Sequence, residues 1–477
     1  MQHIIIKFNL HHMIKSIHST IALILLSSTL FAQEPIGTWY GTLNIQGTSL
    51  PLVFHIIKAG SEYVTTMDSP QQGAKSMPTS KTTFTNKTLT VEASNIGMKY
   101  TGTYIPDSNK INGTFEQKTI RTMLVLNTKQ EKQTRPQDPK DFPYKQEEVT
   151  FTNTAGGSNL AGTLTLPANG KASKIVVLIS GSGPQNRDEE LAPFNHRPFL
   201  VLSDYLTRQG IAVLRYDDRG IGKSTGIFSK ATTADFADDA ETAVKYILSR
   251  PDLKTMTIGL VGHSEGGMIA PIVASRNPNV KFLVLMAGPG IPIAQLYAQQ
   301  IGDAMKLAGV PADEVVQKMA SNLKIFTAMN DVKDLPLPHA EAQVELSLRK
   351  ELDLEPLESL DRTAKESIVQ QTLNQYKTPW FRYFISFDPA VYLTKVKCPV
   401  LALNGTLDFQ VESAANLAGI KAGLQKAGNK RFEIVPMEGL NHLFQKANTG
   451  AESEYGNVEE TLNPAALQKI SSWMNGI

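Results

Sequence analysis

Apolar positions keep two different rhythms along this chain, and the rhythm changes near residue 129. Over 34–128 they alternate with polar ones: Trp39, Gly41, Leu43 and Ile45 form one such run, and Leu89, Val91 and Ala93 another. A period of two sets one face of a strand against a core and the other in water. Turn-forming clusters such as Pro106-Asp107-Ser108-Asn109 interrupt the runs, so the segment is expected to fold as a small all-β domain, a barrel or a sandwich.

Residues 129–146 are poor in apolar side chains and carry Gln133-Thr134-Arg135-Pro136-Gln137-Asp138-Pro139-Lys140, which reads as a linker, extended where the prolines cluster. From 147 to 477 short continuous apolar runs alternate with helical periods. The strand candidates are 174–180, 211–216, 257–261, 281–286 and 399–404. Between the second and third, Phe236, Ala240, Ala243, Val244, Ile247 and Leu248 recur at offsets of three and four, lining one face of a helix over 232–250. Asp235, Asp238 and Asp239 sit near its start, where the helix dipole favours negative charge. Strands apolar on both faces, alternating with helices, predict a mostly parallel sheet covered on both sides. Over about 289–390 the alternation gives way to helical stretches, which reads as a cap inserted over the carboxyl edge of the sheet.

Residues 1–32 stand apart. Lys7, His11, His12 and Lys15 precede the run Ile21-Ala22-Leu23-Ile24-Leu25-Leu26, and Ala32 is followed by Gln33-Glu34-Pro35. A positive flank and a short apolar run ending at a small residue are expected to be a signal peptide, cleaved near Ala32, that sends the protein to the periplasm or beyond, with no stable membrane insertion afterwards. The true start is Met1 or Met13.

Composition narrows the classes without naming an activity. With 41% hydrophobic and 19% charged residues the chain is ordinary globular material. A net charge of +2 offers no basic excess for nucleic acid. One cysteine, Cys398, rules out an intrachain disulfide and a multi-cysteine metal site, and its place before a strand reads as a small buried hydrophobe.

The chemistry concentrates at Gly262-His263-Ser264-Glu265-Gly266-Gly267, which follows an apolar strand and enters a helical run. GxSxG arises by chance in a chain of this length with a probability on the order of 0.15, so its setting decides. Strand, sharp turn and helix are what a nucleophile elbow requires. A serine hydroxyl needs a base, and the base an orienting carboxylate. Both are supplied downstream after late strands: Asp408 after Val400-Leu401-Ala402-Leu403-Asn404, and His442 after Phe432-Glu433-Ile434-Val435-Pro436. Glu412 and Glu438 are the nearby substitutes for Asp408. Backbone donors for a substrate oxyanion are expected from the amide of Glu265 and from that of Ser182, in the glycine-flanked loop Ser180-Gly181-Ser182-Gly183-Pro184. Asp217, Asp218 and Arg219 read as a turn held by ion pairs, His196 as a helix-start contact and His263 as packing beside the elbow.

Three stretches together carry a resemblance: Ser180-Gly181-Ser182-Gly183-Pro184 with Arg187-Asp188, Arg215-Tyr216-Asp217-Asp218-Arg219-Gly220-Ile221-Gly222-Lys223-Ser224, and the elbow itself. With them the region from about 147 onward resembles the α/β-hydrolase superfamily, in its branch of bacterial carboxylesterases and serine aminopeptidase-like hydrolases. The resemblance implies an α/β-hydrolase fold with a helical cap, a small-molecule ester substrate and no metal or organic cofactor. Many relatives begin the oxyanion loop with His-Gly where this chain has Ser180-Gly181, so the anchoring of that loop is expected to differ. Gly37-Thr38-Trp39 looks like the first strand of a lipocalin-like domain, read either as a packing domain or as a ligand-binding barrel.

The expectation is an exported serine hydrolase that cleaves carboxylic esters through Ser264, His442 and Asp408. A peptidase releasing a small N-terminal residue uses the same triad and is the first alternative. A binding protein whose β domain captures a lipid or glycan is the second.

Overall fold

The computed structural model describes residues 34–45, 48–69, 74–117, 120–129, 134–354 and 362–477. The leader over 1–32 lies outside the described residues. The chain divides into two compact units, one ending at Glu131 and the other beginning at Lys132.

In the first unit the alternating runs form β1 (Gly37–Ile45), β2 (Thr48–Ala59), β3 (Glu62–Ser69), β4 (Ala74–Pro78), β5 (Lys81–Thr85), β6 (Thr88–Ala93), β7 (Met98–Ile105), β8 (Lys110–Gln117) and β9 (Ile120–Asn127). They pair antiparallel in the order β2-β1-β9-β8-β7-β6-β5-β3-β4, and a further β2–β3 pairing closes the sheet on itself. Closure removes most of the exposed strand edge. Of the two expected forms, the chain takes the barrel. Its interior is filled with side chains, among them Trp39, Phe54, Leu89, Tyr100, Ile111 and Leu126. Tyr100 donates its hydroxyl to the carbonyls of Ile111 and Leu124, and Gly102 and Gly113 leave the room it needs, since a Cβ on either would lie 2.6 Å from the tyrosine.

The second unit is built on β10 (Lys145–Asn153), β11 (Ser158–Leu166), β12 (Lys174–Ile179), β13 (Ala212–Tyr216), β14 (Thr257–His263), β15 (Val280–Met286), β16 (Val400–Gly405) and β17 (Phe432–Met437). Their order is β10-β11-β13-β12-β14-β15-β16-β17, parallel from β13 to β17 and antiparallel at β10–β11 and β11–β13. The helices are α1 (Pro198–Arg208), α2 (Thr233–Ser249), α3 (Gly266–Arg276), α4 (Ile293–Leu307), α5 (Ala312–Asp331), α6 (Leu337–Leu354), α7 (Arg362–Tyr376), α8 (Pro379–Ile385), α9 (Ala390–Leu393), α10 (Ser413–Lys426) and α11 (Pro464–Gly476). Alternate residues of each strand feed opposite cores. Ile175, Val177 and Ile179 of β12 meet α2 and α3 on one side, while Val176 and Leu178 meet α1 and α11 on the other.

Thr232 starts α2 through a reciprocal capping box with Asp235, and the periodic face Phe236, Ala240, Ala243, Val244 and Ile247 is buried as expected. Helices α4 to α9 fill the stretch between β15 and β16. Two features differ from the sequence reading. The strands β10 and β11 were not anticipated, and the polar stretch before them is not a free spacer: Arg135, only 6% exposed, donates to the carbonyls of Phe194, Tyr455, Val458 and Glu460. A guanidinium satisfies its fixed fork of donors best on fixed carbonyls, so prolines here shape a docked segment.

Candidate active site

Ser264 occupies the turn between β14 and α3 with φ of 53°, a left-handed conformation that is uncommon outside glycine. The surroundings enforce it. Ser264 donates its amide to the Met286 carbonyl at 2.9 Å, and Gly267 donates to the Ser264 carbonyl at 2.8 Å. Strand and helix approach so closely that a Cβ on Gly262 would lie 2.0 Å from the Gly266 carbonyl oxygen, and one on Gly266 would lie 2.1 Å from that of Ile179. The glycines of the motif are therefore a steric requirement of the turn.

Asp408 and His442 come from the loops after β16 and β17. His442 Nδ1 lies 2.8 Å from Asp408 Oδ2, with side chains 5% and 0% exposed. The backbone amides of Gln410 and Val411 both donate to Asp408 Oδ1 at 2.9 Å, so the carboxylate is held at both oxygens. The His442 turn is shaped from within by the buried Asn441, whose side-chain oxygen accepts from the amides of Leu443 and Gln445. Glu412 is engaged elsewhere, capping α10 through the amides of Ala414 and Ala415.

The loop after β12 lies against the nucleophile turn: a Cβ on Gly181 would sit 3.2 Å from Ser264 Cβ. Ser180 Oγ donates to Asp218 Oδ1 and the Gln185 amide to Asp218 Oδ2, at 3.2 and 3.0 Å. That is how this chain anchors a loop that begins Ser180-Gly181. Burial raises the Asp218 carboxyl well above the usual range, and these two donors partly oppose it. The neighbouring charges form the expected ion pairs, Asp217 with Arg187 at 2.8 Å and Arg219 with Asp239 at 2.6 Å.

Ser264, His442, Ser182 and Glu265 line one cavity of about 360 Å³, and Asp408 stands behind His442. Aromatic side chains from the loop between β12 and α1 and from the cap, including Phe194, Tyr297, Trp380 and Phe384, make up much of its wall. Its charged lining is acidic, Glu189, Glu265 and Glu452, beside the two histidines, and among the described residues no Lys or Arg lines it. Burial raises the carboxyls of Glu265 and Glu452.

His263 does more than pack. Its Nδ1 is 2.9 Å from Glu189 Oε1 and its Nε2 is 3.0 Å from the His442 carbonyl. His196 stands two residues before Pro198, where α1 starts, and its Nε2 donates to the Thr461 carbonyl at 2.9 Å, in full burial. Glu189 and Trp380 were not singled out from the sequence, because an isolated acid in a loop and an indole in a polar helical stretch carry no pattern. Cys398 is partly buried, which raises its thiol to about 11.

Residues 198–446 match the family described as serine aminopeptidase, S33. The esterase EstD of Thermotoga maritima is 25% identical over 341 residues, covering 71% of this chain and 68% of that protein. Among solved structures, the Pyrococcus furiosus esterase Pf2001 aligns with a TM-score of 0.42 and 15% identity over 72% of this chain and 98% of its own. The hypothetical protein PA2218 of Pseudomonas aeruginosa aligns with 0.43 and 16% over 73% and 99%.

Proposed function

The chain belongs to the serine aminopeptidase S33 family, which spans a little over half of its length, and on that premise we propose that it hydrolyses carboxylic esters with Ser264 as nucleophile. The observation that carries the proposal is the buried His442–Asp408 hydrogen bond of 2.8 Å in the wall of the cavity that Ser264 lines.

In this reading His442 Nε2 takes the Ser264 proton as Oγ attacks the ester carbonyl. Asp408 fixes the tautomer that leaves Nε2 free and stabilises the imidazolium that forms. The amides of Ser182 and Glu265 receive the oxyanion, the second at the start of α3 where the helix dipole also favours negative charge. Collapse expels the alcohol, which takes the proton from His442. Water then enters along the same path, His442 takes one of its protons, and the acid leaves while Ser264 regains its hydrogen.

The similarity to EstD supports an ester over an amide substrate. The acidic, aromatic wall supports an uncharged ester, because an anionic acyl group would enter a cavity that offers no Lys or Arg. A peptidase that binds a free amine is favoured by the family's description and by the same acidic wall. The filled barrel interior supports packing over ligand capture for the first domain. The leader over 1–32 supports export, tested by whether the mature protein begins at Gln33.

The deciding experiment compares p-nitrophenyl butyrate, an ester with a free carboxylate on its acyl chain, and an aminoacyl anilide, on wild type and Ser264→Ala. The ester reading expects the neutral ester to be turned over fastest, the anionic one at least about tenfold more slowly, and Ser264→Ala to lose several orders of magnitude. Faster anilide hydrolysis would establish the peptidase instead.

A further inference from the structure

Three separate elements must be in register for the proposed reaction: the oxyanion loop, the nucleophile turn and the loop that presents His442. One pair of side chains touches all three. Glu189 Oε1 accepts from the Gly181 amide at 2.7 Å and from His263 Nδ1 at 2.9 Å, and His263, adjacent to Ser264, reaches the His442 carbonyl with Nε2 at 3.0 Å. A carbonyl can only accept, so Nε2 must carry a hydrogen, and Nδ1 faces a carboxylate. Glu189 and His263 are 4% and 7% exposed.

The pair is also costly to maintain, which argues that the surroundings enforce it. Glu189 holds φ of 51°, a strained left-handed conformation for a residue with a side chain. Its second oxygen, Oε2, is buried and without a hydrogen-bond partner among the described residues. A buried carboxylate in that state needs a nearby positive charge. Burial pushes the His263 imidazole down, yet the Glu189 carboxylate beside it, the His442 carbonyl and Asp408 hold it above its ordinary value. His263 cannot serve as the base in place of His442, since both of its nitrogens are engaged.

We infer that Glu189 and His263 are a positioning pair, which locks the oxyanion loop to the nucleophile turn and fixes the His442 backbone so that its imidazole meets Ser264. The inference rests on the proposed esterase reaction. Both residues border the cavity, but Glu189 Oε1 and both His263 nitrogens are taken up by each other, the Gly181 amide and the His442 carbonyl, so loss of the pair acts on the rate of the chemical steps more than on binding.

The groups facing His263 are the Glu189 and Asp408 carboxylates and the imidazoles of His442 and His196, with the uncharged Phe444 ring beside them. The His263 and His442 ring centroids are 4.9 Å apart.

The test uses the full chain with His263→Gln, Glu189→Gln and the double variant, alongside wild type and Ser264→Ala. Gln at 263 keeps a donor for the His442 carbonyl and drops the charge. Both single variants are expected to lower kcat by about tenfold or more with KM within about threefold, and the double variant to fall little below the worse single one, as for residues that act as a unit. Turnover within about twofold of wild type in both folded single variants, a loss that falls on KM with kcat unchanged, or rate losses that multiply in the double variant overturns the positioning role. A wild type that neither hydrolyses esters nor reacts with a fluorophosphonate probe overturns the esterase reading, and this inference with it.

Discussion

The indole N–H of Trp380, on α8 of the cap, points at both carboxylate oxygens of Glu265, at 3.0 and 3.2 Å, one residue beyond the proposed nucleophile. Glu265 is 3% exposed and is also hydrogen-bonded by the Thr233 hydroxyl at 2.6 Å and by the Ser182 side chain, so the cap, the start of α2 and the loop after β12 all meet at the elbow. Trp380 also stacks on Phe384, with ring centroids 4.7 Å apart, in the cavity wall.

Replacing Trp380 with Phe keeps most of the ring and deletes the donor. The buried carboxyl then loses a partner, a change worth about 1 to 3 kcal/mol. Differential scanning calorimetry is expected to show a melting temperature lower by several degrees, and steady-state kinetics a raised KM for aromatic esters.

Asp408→Asn preserves shape and removes the charge that sets the His442 tautomer. In the proposed mechanism kcat for a neutral ester falls by roughly three to four orders of magnitude while KM changes little. Single-turnover acylation with an unaltered circular dichroism spectrum is the measurement that separates this from unfolding.

Gly262→Ala places a methyl group 2.0 Å from a backbone oxygen that belongs to the elbow itself. Backbone cannot give way as a flexible side chain does, so destabilisation of about 3 kcal/mol is expected. Gly476→Ala, where a Cβ meets nothing within 4 Å, is the control and should melt with wild type.

His196 provides a pH test of stability. Burial pushes its imidazole down to about 3, although the Thr461 carbonyl opposes that shift. The unfolded chain, with a value of about 6.5, binds the proton first as pH falls. The stability that comes from keeping His196 neutral is therefore present above that value and is lost progressively from about pH 6.5 toward 3. Between pH 7 and 5 this amounts to about 2 kcal/mol. His196→Gln does not titrate, so urea titrations at the two pH values should show wild type losing about that much more than the variant.

How much of this was legible in the sequence depended on how many faces each element buries. The strands β12 to β17 stand out because most lie between two layers of helices and read as nearly continuous Val, Leu and Ile. The strands β10 and β11 do not: Val149 and Phe151 alternate with charged or polar residues next to a polar stretch, and β11 is broken by glycine and threonine. Ser264, Asp408 and His442 stood out as candidates because each follows such a strand in a fixed order. Glu189 was not, since its meaning arises only when residues 181, 263 and 442 converge in space. Arg135 escaped for the same reason, its carbonyl partners lying far along the chain.

That last residue bears on the order of events during synthesis. The Arg135 guanidinium binds carbonyls that follow it by 320 residues or more, at Tyr455, Val458 and Glu460. A loop of that span closes slowly, and only after the later segment has left the ribosome. Until then water solvates the guanidinium, and these tertiary contacts of the second unit stay unmade. For a protein proposed to be exported, that delay would favour passage through a translocon as an open chain.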